Sequence, residues 1–130
     1  MDSNYLAGFF DGEGSLIIRI RPDKRYKTGF QVLLVADITQ KRREVLDLIQ
    51  ENLKMGNIDY HKRDDLYQFR IYKIRDLKKF IPLIADKAIV KRNELEKFSR
   101  CVEIVSNKKH LTEEGLSEIR QIKCAFRPRN

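Results

Sequence analysis

Apolar and polar residues alternate most cleanly in SLIIRIRP, residues 15–22. Leu16, Ile18 and Ile20 fall on one side, and Ser15, Ile17, Arg19 and Arg21 on the other. That pattern predicts a strand with one apolar face and one partly basic face. The same period runs through GFQVLLVADITQ, where Val32, Leu34, Ala36 and Ile38 are expected to face a core. Gln31, Leu33, Val35, Asp37 and Thr39 are expected to face away. The basic segment PDKRYKTG, with its Pro and Gly, joins the two as a loop. The period then lengthens: RREVLDLIQENLKMG repeats at helical spacing, with Gly56 as its stop. IDYHKR and LYQFRIYK return to strand spacing around a polar turn at Arg63–Asp65. In the second of these Tyr67, Phe69 and Ile71 point inward, and Gln68, Arg70 and Tyr72 outward. Ahead of all the strands, Ser3 or Asn4 can cap a short helix, YLAGFFDGEG. From about Arg75 the spacing is helical over 75–84, 87–106 and 112–124, followed by a basic tail at 125–130.

The order α-β-β-α-β-β-α, with trailing helices, predicts an α+β domain in which two hairpins form one antiparallel sheet with helices on one face. A chain of 130 residues suits one such domain over 1–130. The uncovered face would carry Arg19, Arg21, Gln31, Gln68 and Arg70, side chains suited to base edges and phosphates. An ordinary solvated face is the bland alternative. Leu33 and Val35 fit poorly there, and suit contact with thymine methyl groups or partial burial. Ile17 and Asp37 share this face.

Charge sharpens the choice. Lys and Arg total 27 against 19 acids, a net +8, which favours a polyanionic partner, nucleic acid ahead of a membrane surface. No apolar run reaches the roughly 18 residues of a membrane span, and the N-terminal MDSNYLAGFF has no signal-peptide pattern. Lys24, Arg25 and Lys27 in the first loop are expected to contact phosphates. Cys101 and Cys124 lie in expected helices without CxxC spacing and are expected to be reduced core thiols. His61 and His110 lie too far apart in sequence to suggest a zinc site.

The first helix holds the most informative residues. Gly8 and Gly12 are four apart, and each interior glycine costs about 0.5–1 kcal/mol relative to alanine. With Ala7 they would let another helix approach closely, although Gly12 and Gly14 also end the helix. Asp11 and Glu13 then place carboxylates where the helix dipole is negative, against local stability. A hard cation such as Mg²⁺, which takes one or two carboxylates with phosphate and water, would offset that repulsion. Further on, Ala88, Lys91, Leu95, Phe98, Val102 and Val105 form a heptad-like seam. Lys91 within it either reaches out to solvent from the helix start or points into a site.

LAGFFDGEG, Leu6 to Gly14, resembles the signature of the LAGLIDADG homing endonucleases. It matches at Leu6, Ala7, Gly8, Asp11 and Gly14, with apolar Phe9 and Phe10, small Gly12, and Glu13 in place of the second aspartate. The resemblance covers roughly residues 3–106 and implies that family's αββαββα fold with a saddle-shaped sheet. It also implies a motif helix at 3–13 whose terminal acid, Glu13, holds Mg²⁺, with the Gly12 carbonyl as an accessory ligand. Leu6, Ala7, Gly8 and Asp11 would lie at or near the interface between motif helices. AIVKRNEL resembles the family segment with the basic active-site lysine, which selects Lys91. Thr39-Gln40-Lys41 resembles the strand end whose glutamine, here Gln40, positions the attacking water. Arg42 or Arg43 would join the active-site network.

Only one motif occurs, so a second motif helix would come from a second subunit across an isologous interface. The implied protein is an intron-encoded endonuclease that cuts both strands of a long, pseudo-palindromic site in double-stranded DNA. An RNA-binding intron maturase and a non-cleaving DNA-binding protein of the same fold are the rivals. Each would use the same basic sheet.

Overall fold

The computed structural model describes residues 1–126, and Arg127–Asn130, most of the basic tail, lie outside the described residues. Helix α1 (Ser3–Glu13) leads into strand β1 (Gly14–Pro22) without a linker. Its cap is Asp2, whose side chain accepts from the Asn4 amide, rather than Ser3 or Asn4. Strand β2 (Phe30–Gln40), helix α2 (Glu44–Leu53), strands β3 (Asn57–His61) and β4 (Leu66–Ile71), and helix α3 (Ile74–Ile84) follow. Helices α4 (Arg92–Ser106) and α5 (Glu113–Ala125) close the chain. This is the α+β order expected from the hydrophobic periods. Helix α2 ends on Lys54 in the left-handed region, and Gly56 follows at φ 87°, where a Cβ would meet the Phe69 ring and the Arg70 carbonyl.

The sheet order is β1-β2-β4-β3, all antiparallel. The register pairs Leu16 with Ala36 and Ile18 with Leu34, and Ile38 with Phe69, so the apolar sets share one face. The four aromatic side chains Phe10, Phe69, Phe80 and Phe98 are fully buried among the helices on that face. The other face aligns Arg21 with Gln31, Arg19 with Leu33, Ile17 with Val35, and Asp37 with Arg70. It holds no helix of the core. Strand β2 nevertheless buries Val35 and Asp37 on it. These two outward positions sit on the central strand, where the β1 and β4 side chains on either side shield them from water.

Two helical expectations needed correction. The helix expected from 87 begins at Arg92, and 85–91 is an irregular connection in which Ala88 is buried and Ile89 and Val90 are exposed. Cys101 is buried as expected, and burial pushes its thiol up to about 12. Cys124 is exposed instead, because α5 turns Leu116 and Ile119 inward and leaves its last turn outside the core.

Candidate active site

Glu13 occupies the corner between α1 and β1. The Gly14 amide returns to the Phe10 carbonyl, and Gly14 lies so close to the Phe10 ring that no Cβ would fit. The helix therefore stops at Glu13 and leaves its side chain exposed, with no basic residue in the last turn to offset the dipole. The Gln40 amide, at the end of β2, donates to Glu13 Oε2 at 3.3 Å. That single long hydrogen bond leaves most of the carboxylate's lone pairs open, and the neighbouring Gly12 is also exposed. No three of His, Cys, Asp and Glu gather to hold a metal among the described residues. One free carboxylate beside a backbone carbonyl suits Mg²⁺, which completes its shell with phosphate and water, and does not suit zinc.

Asp11 has a different role from Glu13. Its carboxylate accepts from the amides of Lys91 at 2.7 Å, Val90 at 2.9 Å and Ile89 at 3.0 Å. Three consecutive amides aimed at one carboxylate take residues 89–91 out of helical hydrogen bonding. Burial raises the carboxyl's pKa, but the amides of Val90, Lys91 and Ile89 and the Lys91 charge more than offset it, so the net shift is downward. Lys91 is buried, and its ammonium donates to the Asp11 carbonyl oxygen at 2.7 Å. A buried lysine bound to the end of the motif helix answers the choice left open by the seam: it points inward, beside the site. Asp11, Glu13, Gln40 and Lys91 thus converge from α1, β2 and the connection before α4.

The two candidate arginines separate. Arg43 donates to Asp47 at 3.0 Å and lies over the Tyr67 ring at 5.8 Å. Arg42 is exposed and makes no hydrogen bond among the described residues. In the first loop Arg25 is bound to Asp23 at 2.7 Å, which holds the Asp23 carboxyl at about 2. Lys24 and Lys27 are exposed. Of the three basic residues expected to contact phosphates in this loop, Arg25 alone has its charge paired among the described residues, with Asp23.

The open sheet face carries the expected side chains in unequal states. Arg19 and Arg21 are exposed, while Ile17, Gln31 and Leu33 are half-buried. Arg70 is paired with Asp59, and its Nε is buried without a partner. Gln68 donates to Asp37 Oδ2 at 2.6 Å, and its oxygen lies 2.7 Å from His61 Nε2. Burial raises the Asp37 carboxyl, while the Gln68 hydrogen bond and the Arg19 and Arg70 charges oppose it. His61 belongs to this face and was missed. The parity of IDYHKR carried the signal, since His61 and Asp59 fall on the same side.

The interface set also divides. Leu6 and Ala7 are buried in the chain's own core, at 3% and 2% exposure, so they are not an exposed helix surface. They fall on the helix stripe that packs inward with Phe10. Asp11 is committed to residues 89–91. Gly8 does lie outside, and a Cβ built on it or on Gly12 meets nothing. Tyr5 and Phe9 stack beside them at 6.1 Å, so the outer stripe is Tyr5, Gly8, Phe9 and Gly12.

Comparison with known proteins agrees with this geometry. The chain is 35% identical over 79 residues to DNA endonuclease I-CreI of Chlamydomonas reinhardtii, covering 59% of this chain and 47% of that protein. It spans less than half the length of the curated relatives it matches. The crystal structure of the homing endonuclease I-TnaI superposes with a TM-score of 0.91 at 30% identity, covering all of this chain and 90% of that one. The meganuclease I-SmaMI bound to uncleavable DNA gives the same TM-score at 30% identity, covering 99% of this chain and 46% of that one. Residues 6–111, from the motif leucine to the end of the turn after α4, match the LAGLIDADG endonuclease family, and the chain belongs to it.

Proposed function

We propose that this chain is an intron-encoded, site-specific homing endonuclease. It works as a homodimer and cleaves both strands of a long, roughly palindromic DNA site with Mg²⁺. The observation that carries this reading is the exposed, almost unpartnered Glu13 carboxylate, with Gln40 on it and Lys91 beside the same helix end. The DNA-bound I-SmaMI structure and the name of I-CreI support DNA as the substrate.

Glu13 and the Gly12 carbonyl would hold the metal, which when bound activates water and stabilises the leaving oxygen. Gln40 keeps one amide hydrogen and its carbonyl oxygen free while touching Glu13, so it can hold a water beside that carboxylate. Lys91 brings a positive charge to the helix end, where its ammonium donates to the Asp11 carbonyl oxygen and can stabilise charge developing on the scissile phosphate. The outer stripe of α1 packs against its copy through Gly8 and Gly12, which brings the two Glu13 side chains near the two-fold axis. The open sheet face and the β1–β2 loop lie on the DNA.

The test is Glu13→Gln. Cleavage of a bound target in Mg²⁺ is expected to fall by roughly 10²–10³-fold, the scale of losing one pre-aimed electrostatic group. Binding in an electrophoretic shift is expected to stay within a few-fold of the parent. Undiminished cleavage by Glu13→Gln would remove the metal assignment. A parent protein that binds RNA but never cuts DNA would favour the maturase reading.

A further inference from the structure

We propose that Gln68 selects adenine in the target, because Asp37 holds its side-chain amide in one orientation. The inference rests on the reading of the open sheet face as the DNA surface and deepens it. Asp37, Gln68 and His61 come from three neighbouring strands and form one hydrogen-bonded string across that face.

Donor and acceptor chemistry fixes the direction of the string. An ionised Asp37 carboxylate can only accept, so the group Gln68 turns to it, 2.6 Å away, is the NH₂. The Gln68 carbonyl oxygen can only accept, so the His61 Nε2 beside it carries the hydrogen. Rotating the amide by half a turn would set the Gln68 oxygen against the Asp37 oxygen, lone pair against lone pair. Gln68 is then left with one N–H and one lone pair. Adenine offers N7 as an acceptor and its 6-amino group as a donor, which is the complementary pair. Guanine offers two acceptors, N7 and O6, and the locked Gln68 oxygen would face one of them. Asp37 acts on the base only through Gln68: it is a positioning residue, buried below the surface that DNA would touch.

The dimer is incubated with a randomised double-stranded DNA pool without Mg²⁺, and bound molecules are sequenced for the parent, Gln68→Ala and Asp37→Asn. The parent is expected to enrich a motif in which Gln68→Ala flattens an adenine favoured roughly 5- to 100-fold. Asp37→Asn, whose amide can donate as well as accept, is expected to cut the adenine-over-guanine preference there to within about threefold. The other motif positions should be unchanged, which also reports that the variant is folded. As a second variant, Gln68→Glu combined with Asp37→Asn, whose amide can donate to the new carboxylate, presents only acceptors and is expected to move the preference toward cytosine, whose 4-amino group donates. An intact adenine preference in Asp37→Asn, a different base flattened by Gln68→Ala, or an unmoved preference in the double variant would each overturn the proposal. A parent that enriches no motif would instead remove the DNA-site reading beneath it.

Discussion

Asp11 and Glu13 stand two residues apart in one motif and have opposite surroundings. Glu13 keeps its lone pairs open, whereas Asp11 spends both oxygens on the amides of 89–91. Asp11→Ala is expected to cost about 2 kcal/mol, since hydrogen bonds to a charged group contribute about 1.5–3 kcal/mol and the freed amides can partly rehydrate. A thermal melt would read a drop of roughly 6–10 °C. Cleavage should fall with it as Lys91 loses its seat. The same bonds give a pH dependence of known sign. The folded pKa of Asp11 lies below the ordinary carboxyl value of 3.8, so its contribution is fully present above that value. It is lost as pH falls through the folded pKa, and Asp11→Ala should flatten the acid limb of the stability curve. None of this was legible in the sequence, because the donors are backbone amides 78 to 80 residues away and leave no residue-type signal. Glu13 was legible as a candidate because a carboxylate against the helix dipole is locally unfavourable, and the motif resemblance singled it out from Asp11. Lys91 was legible as a candidate because a charge interrupts an apolar seam, and the resemblance of AIVKRNEL selected it.

At the level of elements, strand parity assigned the two faces of the sheet correctly, because side-chain direction alternates strictly along a strand. Parity says nothing of lateral shielding, so it placed Asp37 on the right face without showing its burial, whereas the apolar character of Val35 already allowed for burial there. The start of α4 was misread for a related reason: helical spacing persists through Ala88 and Lys91, while the backbone there follows Asp11. In the β1–β2 loop, parity and charge could not show that Asp23 occupies Arg25. The loop's affinity should therefore rest on Lys24 and Lys27. Removing either lysine is expected to reduce the slope of log affinity against log salt by about 1, whereas Arg25→Ala should change it by less. A salt titration of DNA binding by the three single variants checks this, and equal slopes for all three would remove the distinction.

For the whole molecule, the proposed homodimer would use the exposed stripe of α1 to bring two one-site chains together. Gly8 has open space around its missing Cβ within the chain. Gly8→Ala should stabilise an isolated chain by about 0.5–1 kcal/mol through helix propensity. The same methyl should hold two α1 helices apart. Sedimentation is expected to show a weaker dimer for this variant, and an unchanged dimer constant would move the interface elsewhere. The most direct measurement joins both ideas in one particle. A dimer is assembled from one parent subunit and one Glu13→Gln subunit, separated by tags, and given supercoiled plasmid carrying a bound target with Mg²⁺. The parent dimer should linearise the plasmid, the doubly substituted dimer should leave it supercoiled, and the mixed dimer should stop at the nicked circle. A mixed dimer that linearises as fast as the parent would contradict one Glu13 per strand cut.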